Sequence, residues 1–272
     1  MTVLSGVPAD ASGVRPRRSD DLPRTGPADT SAAKVLVLLD AFRGPKTVLG
    51  VTELAHAVGV PKSTAHRLLA IMVDSGFVRK IGGRYGLTER LFEVGNRAGS
   101  SAIRSTGLRR RAMPYLTELH SGSRDTVHLA TLSGTDVLYL EKLFGHSTGS
   151  SPTAVGTRWP AHATALGKAM LAHASDEQLA PVMAGPFQRF TARTVRSADR
   201  LERELTRVRE EGLAYDEGEL RDGMHCVAVP ILDPETRTAV AAVSVCSLRT
   251  QSLKRHAPRL LAMARDLSRA AA

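Results

Sequence analysis

The chain has 272 residues, enough for two compact domains, and its 42% hydrophobic and 24% charged residues are typical of a globular protein. No run approaches the roughly 18 consecutive apolar residues that a membrane span needs, and the secretory-signal pattern is missing from the N-terminus. We therefore expect no membrane partner. Two cysteines are too few for a disulfide scaffold, so the reducing cytoplasm is the expected location.

The formal net charge of +10 is concentrated in one part of the chain. From Thr30 to Arg111, fourteen Lys or Arg residues stand against five Asp or Glu, whereas from Ala112 to Ala272 the counts are nineteen and eighteen. Such a basic segment favours binding to an anionic polymer. A basic surface that serves solubility is the alternative, but it does not explain the neutral second half. The charge distribution therefore predicts a nucleic-acid partner.

Residues 1–30 are rich in Pro, Gly, Ser, Asp and Arg without apolar periodicity, which predicts a disordered tail. Three helices are then predicted, the first capped by its own serine and ended by Gly44-Pro45, and the third beginning with a proline in its first turn. Their predicted bounds are Ser31–Phe42, Val51–Val58 and Pro61–Gly76. A short β-hairpin follows, with strands Phe77–Lys80 and Arg84–Leu87 around the turn Ile81–Gly83. Three helices and a basic hairpin predict a winged helix-turn-helix domain over residues 31–90.

A connecting helix is predicted from Thr88 to Ala112, so residues 91–112 are expected to link the first domain to a second one at residues 113–272. The second domain alternates short apolar strands with helices. Its predicted helices are Met113–His120, Ala161–His173, Asp176–Met183, Ala198–Glu211 and Leu253–Ala270, and its predicted strands are Thr126–Leu132, Asp136–Leu143, Leu213–Glu217, Cys226–Ile231 and Ala239–Val245. Antiparallel strands with helices on their faces predict an α+β sensor domain.

The third helix has the two faces that a DNA-reading helix needs. One face carries apolar residues at helical spacing, namely Ala65, Leu68, Leu69 and Met72. The other carries short polar and cationic side chains, which are Lys62, Ser63, Thr64, His66 and Arg67. We expect Arg67 to contact guanine in the major groove, and Lys62, Ser63 and Thr64 to contact phosphates. On the hairpin, Arg79, Lys80 and Arg84 are placed to contact the flanking backbone or the minor groove.

A structural role for the same residues is the alternative. Ser63 and Thr64 are residue types that also cap helices. Arg67 has Asp74 and Glu53 within reach in sequence as partners for an ion pair. The combination of helical spacing, basic hairpin and local charge favours DNA binding over this alternative.

The chain resembles the IclR family of bacterial transcriptional regulators. Four segments carry the resemblance: ELAHAVGVPKSTAHRLLAIMVDSGFVRK (Glu53–Lys80), HATALGKAMLA (His162–Ala172), EEGLAYDEGELRDGMHCVAVPILD (Glu210–Asp233) and AAVSV (Ala241–Val245). The resemblance implies a winged-helix domain, a linker helix and a C-terminal effector domain similar to GAF sensor modules. It also implies a double-stranded DNA operator as partner, a small-molecule effector, and a homo-oligomer that is a dimer or a dimer of dimers.

The resemblance also implies where the effector binds. Its site lies between the helix that opens with HATALG and the central sheet, at the backbone of Ala165 and Leu166 and the side chains of Asp216, Cys226, Ser244 and Cys246. Backbone N–H groups at a helix start suit a carboxylate, whereas Asp216 suits a hydroxyl or N–H at the other end of the ligand. We expect a small metabolite with an acidic head and a hydrogen-bonding tail.

The two cysteines leave alternatives open. They suit a small buried hydrophobe equally well. A redox disulfide needs Cα atoms about 4.4–6.8 Å apart, which the sequence does not show. A metal held by His162, His225 and Cys226 lacks recognised zinc spacing, so no metal is expected.

Two other classes of function compete with a regulator: a metabolic enzyme, and a protein-interaction module with a winged-helix appendage. ATALGKA (Ala163–Ala169) lacks the first glycine of a phosphate-binding loop, and the chain contains neither G-x-S-x-G nor H-E-x-x-H. Lys168 is expected to pair at the helix surface or an oligomer contact, while Glu217 and Glu219 lie on a loop-like stretch. We therefore expect no catalytic residues and no cofactor.

Overall fold

In the computed structural model, the described residues are 30–43, 46–101, 103–145, 152–248 and 250–269. The predicted tail before Thr30 and the predicted helix end at Gly44-Pro45 lie outside them. Contacts divide the described chain into two units, one ending at Ser101 and the other beginning at Ile103. Over these ranges, none of the helices combines the length and apolarity required to traverse a bilayer.

The N-terminal unit is a winged helix-turn-helix, as predicted. Its elements are α1 (Ser31–Asp40), β1 (Val48–Leu49), α2 (Val51–Val58), α3 (Lys62–Asp74), β2 (Val78–Ile81), β3 (Arg84–Leu87) and α4 (Glu89–Ser101). The strands form an antiparallel sheet in the order β1-β3-β2. One apolar cluster joins the helices to the hairpin, built around Leu38, Leu54, Leu68, Met72 and Tyr85.

Three local predictions in this unit are wrong. Thr30, not Ser31, caps α1, because its Oγ1 accepts the Ala33 N–H at 3.2 Å. Ile81 belongs to the strand rather than to the turn, since it pairs with Arg84 and leaves only the two glycines to turn the chain. The short strand β1, which was not predicted, pairs with β3 along the hairpin.

The predicted connecting helix corresponds to α4 and the first part of α5 (Ile103–Ser123), and Ala102 between them lies outside the described residues. The predicted separate helix Met113–His120 is wrong, because α5 continues through Pro114. Proline removes one helical hydrogen bond, but the buried face of α5 packs on the domain core on both sides of that residue. This face consists of Leu108, Ala112, Leu116 and Leu119.

The C-terminal unit is built on a six-stranded antiparallel sheet in the order β6-β5-β4-β9-β8-β7. Its strands are β4 (Thr126–Ser133), β5 (Asp136–Leu143), β6 (Arg158–Pro160), β7 (Ala214–Glu217), β8 (His225–Leu232) and β9 (Ala239–Ser247). Its helices after α5 are α6 (Ala165–Leu171), α7 (Asp176–Met183), α8 (Ala198–Glu211) and α9 (Thr250–Arg269). The bounds of α7 and α8 match the prediction, whereas β6 was not predicted.

Helix α6 begins four residues later than predicted, since a 3₁₀ turn at Ala161–Ala163 precedes it. Thr164 then caps the helix, with its Oγ1 accepting the Gly167 N–H at 2.9 Å. This cap fixes where the first turn of α6 lies over the sheet.

Alternation along the strands gives the sheet two buried faces, the arrangement of a GAF-like α/β domain. One face packs against α5 and α9 through residues such as Val127, Val229 and Val243. The other packs against α6 and α8 through residues such as Ala130, Ala228 and Ala242. Small side chains on this second face bring α6 close to the sheet, and the candidate effector residues lie on the same face.

Candidate nucleic-acid interface and effector site

Helix α3 separates its apolar and polar faces as predicted. Ala65, Leu68, Leu69 and Met72 are buried. On the opposite side, Lys62, Ser63, His66 and Arg67 are exposed, and Thr64 is half-buried. The exposed groups are therefore accessible to a ligand as large as a duplex.

The start of α3 is left without a side-chain cap. Proline occupies the N-cap position as Pro61, and within the described part of the chain no side chain accepts an N–H of the first turn. The first intrahelical bond runs from the Ala65 N–H to the Pro61 carbonyl at 3.0 Å. The N–H groups before Ala65 are thus available to an anion at the positive end of the helix dipole. The alternative in which Ser63 or Thr64 caps the helix is wrong.

The cations of the hairpin differ in how firmly they are held. Arg84 Nη2 lies 2.9 Å from Glu53 Oε2, and Arg79 Nη1 lies 3.6 Å from Glu89 Oε1. Lys80 is exposed and makes no hydrogen bond or ion pair with a described residue. Of the three, Lys80 is the most readily available to a phosphate.

Glu53 is occupied by groups other than Arg67. Its Oε1 accepts a hydrogen bond from Lys46 Nζ at 2.7 Å, and its Oε2 accepts the Gly50 N–H at 2.8 Å. These two bonds, followed by the charges of Lys46 and Arg84, lower the pKa of Glu53 to about 2. The alternative that Arg67 pairs with Glu53 or Asp74 is wrong, because the Arg67 side chain makes no hydrogen bond or ion pair among the described residues.

In the C-terminal unit, the candidate effector residues come together on one face of the sheet. Asp216 pairs in register with Cys226, which in turn pairs with Cys246 across β8 and β9. Ser244 lies two residues before Cys246 on the same side, with its Oγ 3.8 Å from Cys246 Sγ. Helix α6 covers these strands with Ala165 and Leu166, each 2% exposed. The whole group is buried.

The sulfurs of Cys226 and Cys246 are joined as a disulfide, with Cα atoms 4.1 Å apart, slightly closer than the usual range of about 4.4–6.8 Å. The sequence left this alternative open, and the strand register places the two residues directly opposite each other. In this form the pair offers no S–H donor to a ligand.

Lys168 is buried rather than at the surface, which corrects the prediction for this residue. Its Nζ lies 2.5 Å from Glu204 Oε2 and 2.6 Å from Glu219 Oε1. Burial works against the ammonium, but the charges of Glu219 and Glu204 outweigh it and raise the pKa of Lys168. Glu204 on α8 and Glu219, which was expected on a loop-like stretch, both face this buried cation.

Asp216 is held by its own loop as well as facing the site. Its Oδ1 accepts the Glu219 N–H at 2.6 Å, so it fixes the turn that follows β7. Burial, with the nearby charge of Glu219, raises the pKa of Asp216 to about 7 despite the opposing charge of Lys168. The carboxyl group therefore titrates near neutral pH.

A second polar cluster on the same face was missed from the sequence. His128 on β4 lies between Thr153, whose Oγ1 is 2.8 Å from Nε2, and Ser244, whose Oγ is 3.4 Å from Nδ1. Tyr139 packs edge-on against the imidazole, with ring centroids 5.1 Å apart. Burial, and then the charge of Lys142, lowers the pKa of His128 to about 3, so the ring is neutral. Alternation along β4 could have predicted this buried position, since His128 lies two residues before Ala130 and therefore faces the same side of the sheet.

The structure gives no support for a metal at the residues considered for one. His162 Nε2 lies 3.1 Å from the Gln188 carbonyl oxygen. Within the described ranges, no cluster of three His, Cys, Asp or Glu side chains is arranged to hold a metal ion.

Comparison with known proteins identifies both units. Residues 31–82 match the IclR helix-turn-helix domain, and residues 100–272 match the bacterial transcriptional regulator IclR C-terminal domain. The chain is 33% identical over 228 residues to the HTH-type transcriptional regulator XynR of Escherichia coli, covering 83% of this chain and 88% of that protein. It is also 32% identical to the transcriptional repressor IclR of the same organism, with 82% and 81% covered.

Solved structures agree with these relatives. An IclR homologue from Microbacterium hydrocarbonoxydans, complexed with 4-hydroxybenzoate, is 30% identical and superposes with a TM-score of 0.80 over 88% of this chain and 98% of that one. The Thermotoga maritima IclR structure is 26% identical, with a TM-score of 0.70 and 88% and 97% covered. The matched relatives are named as regulators and repressors, not as enzymes. The chain belongs to the IclR family of bacterial transcriptional regulators.

Proposed function

We propose that α3 is the recognition helix, and that its exposed face enters the major groove of an operator. The division of α3 into a buried apolar face and an exposed polar face carries this proposal. The major groove admits one α-helix and presents a different pattern of donors and acceptors for each base pair. Arg67 is exposed and unpaired among described residues, so its guanidinium is available to guanine O6 and N7.

Phosphate contacts fix the position of the helix in this proposal. The uncapped start of α3 offers backbone N–H groups, and Lys62, Ser63 and Thr64 lie in the same turn. Helix N-termini of this kind bind phosphates well. Lys80, Arg79 and Arg84 extend the positive surface on the hairpin, with Arg84 also tied to Glu53. His66, one turn on from Lys62, completes the exposed face.

Operator binding is tested by fluorescence anisotropy with the DNA upstream of the protein's own gene and a random duplex of equal length. Arg67→Ala should weaken operator binding by about 1–3 kcal/mol and relax selectivity at one base pair. Arg203→Ala, an exposed arginine of α8 in the other unit, is the matched control and should change neither affinity. Equal loss on operator and random DNA would make Arg67 a phosphate contact instead.

We further propose that the C-terminal domain binds a small organic acid or a derivative between α6 and the sheet. The convergence of Asp216, Ser244 and His128 under α6 supports this, as does the homologue complexed with 4-hydroxybenzoate. The Ala165 and Leu166 N–H groups in the first turn of α6 would receive the carboxylate, since first-turn N–H groups lack intrahelical partners. The Thr164 cap takes only the Gly167 N–H.

The effector proposal is tested by isothermal titration of 4-hydroxybenzoate and a panel of organic acids, lactones and amides, after denaturation and refolding to remove bound ligand. Asp216→Ala should abolish the effector response and leave operator affinity unchanged. Asp216→Asn serves as a second variant, because its amide oxygen retains the acceptor for the Glu219 N–H. Absence of binding across the panel would contradict the proposal, and a loss of operator affinity in both variants would make Asp216 structural.

We also propose that the regulator works in the cytoplasm, where its chromosomal target lies, as a homodimer or a dimer of dimers. Exposed apolar side chains in the N-terminal unit support association, with Phe92 75%, Leu36 66% and Val94 50% exposed. The proposed parts are the DNA-binding residues 31–90, the linker 91–112 and the effector domain 113–272. Light scattering on Phe92→Glu should show a smaller species than the wild type. An unchanged mass would contradict association through this surface.

A further inference from the structure

We propose that Cys226 and Cys246 are an oxidisable dithiol inside the effector site, closed to a disulfide by a small hydroperoxide, and that this change alters operator affinity. The inference rests on the proposed function, because the oxidant would enter where the effector does. The two residues face each other on β8 and β9, next to Ser244.

The bond is placed where it contributes little to holding the fold together. Strands β8 and β9 are already paired through eight residue pairs, from His225 to Leu232. The crosslink joins the second pair of that ladder, next to the pair of His225 and Ser247 at its end, and both cysteines are buried in a large apolar core. A protein that acts on chromosomal DNA also meets reducing conditions, in which disulfides are usually transient and redox-sensing. The position therefore favours a chemical role over a structural one.

His128 supplies a hydrogen-bond acceptor to the Cys246 thiol. Its Nδ1 lies 3.7 Å from Cys246 Sγ and 3.4 Å from Ser244 Oγ, and its Nε2 lies 2.8 Å from Thr153 Oγ1. With the ring proton on Nε2 and donated to Thr153, Nδ1 can accept a hydrogen bond from the thiol. This contact orients the Cys246 thiol, so we infer that Cys246 is the residue that attacks the oxidant.

Oxidation proceeds in two steps. The Cys246 sulfur attacks the terminal oxygen of the hydroperoxide, while its thiol proton passes to the departing alkoxide oxygen. An S–O bond forms, the O–O bond breaks, and the alcohol leaves with the proton from the thiol. Cys226 sulfur then attacks the sulfenic sulfur, the S–S bond forms, and water leaves with the remaining thiol proton. Two thiols are oxidised while one hydroperoxide is reduced, and a dithiol reductant reverses the change.

The two states present different surfaces to the effector. Bonded sulfurs are about 2 Å apart, whereas two thiols must stand further apart within a packed core. That movement occurs beside Asp216, which is paired in register with Cys226, and beside Ser244, which lies on the same strand as Cys246. Reduction also restores S–H groups as donors. The redox state is therefore expected to change the affinity of the domain for its effector and the affinity of the protein for its operator.

The first test counts thiols on the full chain. Protein reduced with dithiothreitol, freed of reductant and treated with cumene hydroperoxide is denatured in N-ethylmaleimide and weighed by mass spectrometry. We expect two maleimide groups before oxidation, none after it, and two again after dithiothreitol. His128→Gln, which removes the Nδ1 acceptor, should slow oxidation by about tenfold, the scale of one lost hydrogen bond, with the same end state. Two reactive thiols persisting after hydroperoxide treatment would overturn the proposal.

The second test measures operator affinity of both states by anisotropy with the protein's own upstream DNA. We expect a difference of about fivefold or more, the usual scale of coupling between sites. Cys246→Ser and Cys226→Ser should each bind the operator with the same affinity before and after hydroperoxide treatment. Thermal melts check that both variants are folded. Equal affinities of reduced and oxidised wild type would overturn the switch. Failure of both states to prefer this DNA over random DNA would instead contradict operator recognition, while the thiol count still decides whether the pair is oxidised.

Discussion

Replacing the buried cation Lys168 by methionine is expected to destabilise the C-terminal domain strongly. The side chain of Lys168 is 2% exposed, and its Nζ lies within 2.6 Å of two carboxylates. Methionine fills a similar volume without a charge, so Glu219, whose side chain is 7% exposed, would keep a buried carboxylate with no cation. Breaking such a pair from one side costs about 3–5 kcal/mol of the free energy of unfolding.

The loss in the free energy of unfolding is measured by urea unfolding monitored by circular dichroism. The matched control is Arg200→Met, since Arg200 Nε contacts the same Glu204 at 3.4 Å but its side chain is 47% exposed. An exposed pair of this kind is worth about 0.2–1 kcal/mol. The double variant Lys168→Met/Glu219→Gln should be more stable than Lys168→Met alone, because a neutral amide replaces the buried carboxylate of Glu219. A loss no larger than that of Arg200→Met would refute the reasoning.

Three further outcomes follow from the same structure. Because the pKa of Asp216 is raised from 3.8 to about 7, its ionised form is disfavoured on folding, and the free energy of unfolding should fall as the pH rises from about 4 to about 7. Asp216→Asn should show a smaller fall in urea unfolding across that range, and equal slopes would be inconsistent with the shift. Gly167→Ala should lower stability by about 1–3 kcal/mol, since an added Cβ would overlap the Ala161 backbone, whereas Gly95→Ala, with nothing within 4 Å of its added Cβ, should cost nothing. Lys80→Ala should reduce the slope of log affinity against log salt by about 1 on operator and random DNA alike, and an unchanged slope would remove this lysine from the interface.

The sequence predicted those elements whose signals are local. Helix α8 begins after Ser197, whose side chain accepts the Arg200 N–H, and it ends at Gly212, which has the left-handed conformation. Residues next to each end therefore specify where the helix begins and stops. The two faces of α3 likewise follow from helical periodicity alone. The two- and three-residue strands β1 and β6 show no alternation, and they are strands only because β3 and β5 lie beside them.

Predictions failed where distant residues decide the outcome. A helix boundary was predicted between Ala112 and Met113, but the packing of Leu108 and Leu116 on the sheet keeps α5 continuous. Lys168 looked like a surface residue because its partners lie 36 and 51 positions further along the chain. The pairing of Cys226 with Cys246 depends on the register of β8 and β9, which composition does not specify.

The charges around the proposed effector site favour some ligands over others. Lys168 is already neutralised by Glu204 and Glu219, so a ligand carboxylate would gain little from it. His128 is neutral, and Asp216 would disfavour a second anion beside it. In the proposed binding mode, the first turn of α6 receives one carboxylate, and the opposite end of the ligand brings a hydroxyl or N–H.

We therefore expect 4-hydroxybenzoate to bind more tightly than terephthalate, which has the same ring and a second carboxylate in place of the hydroxyl. The difference should be at least about tenfold, because an unpaired charge beside Asp216 costs more than 1.4 kcal/mol when it is buried. Isothermal titration at pH 8, where Asp216 is ionised, gives the largest contrast, and Asp216→Asn should reduce it. Equal affinities of the two acids for the wild type would mean that Asp216 does not face the ligand.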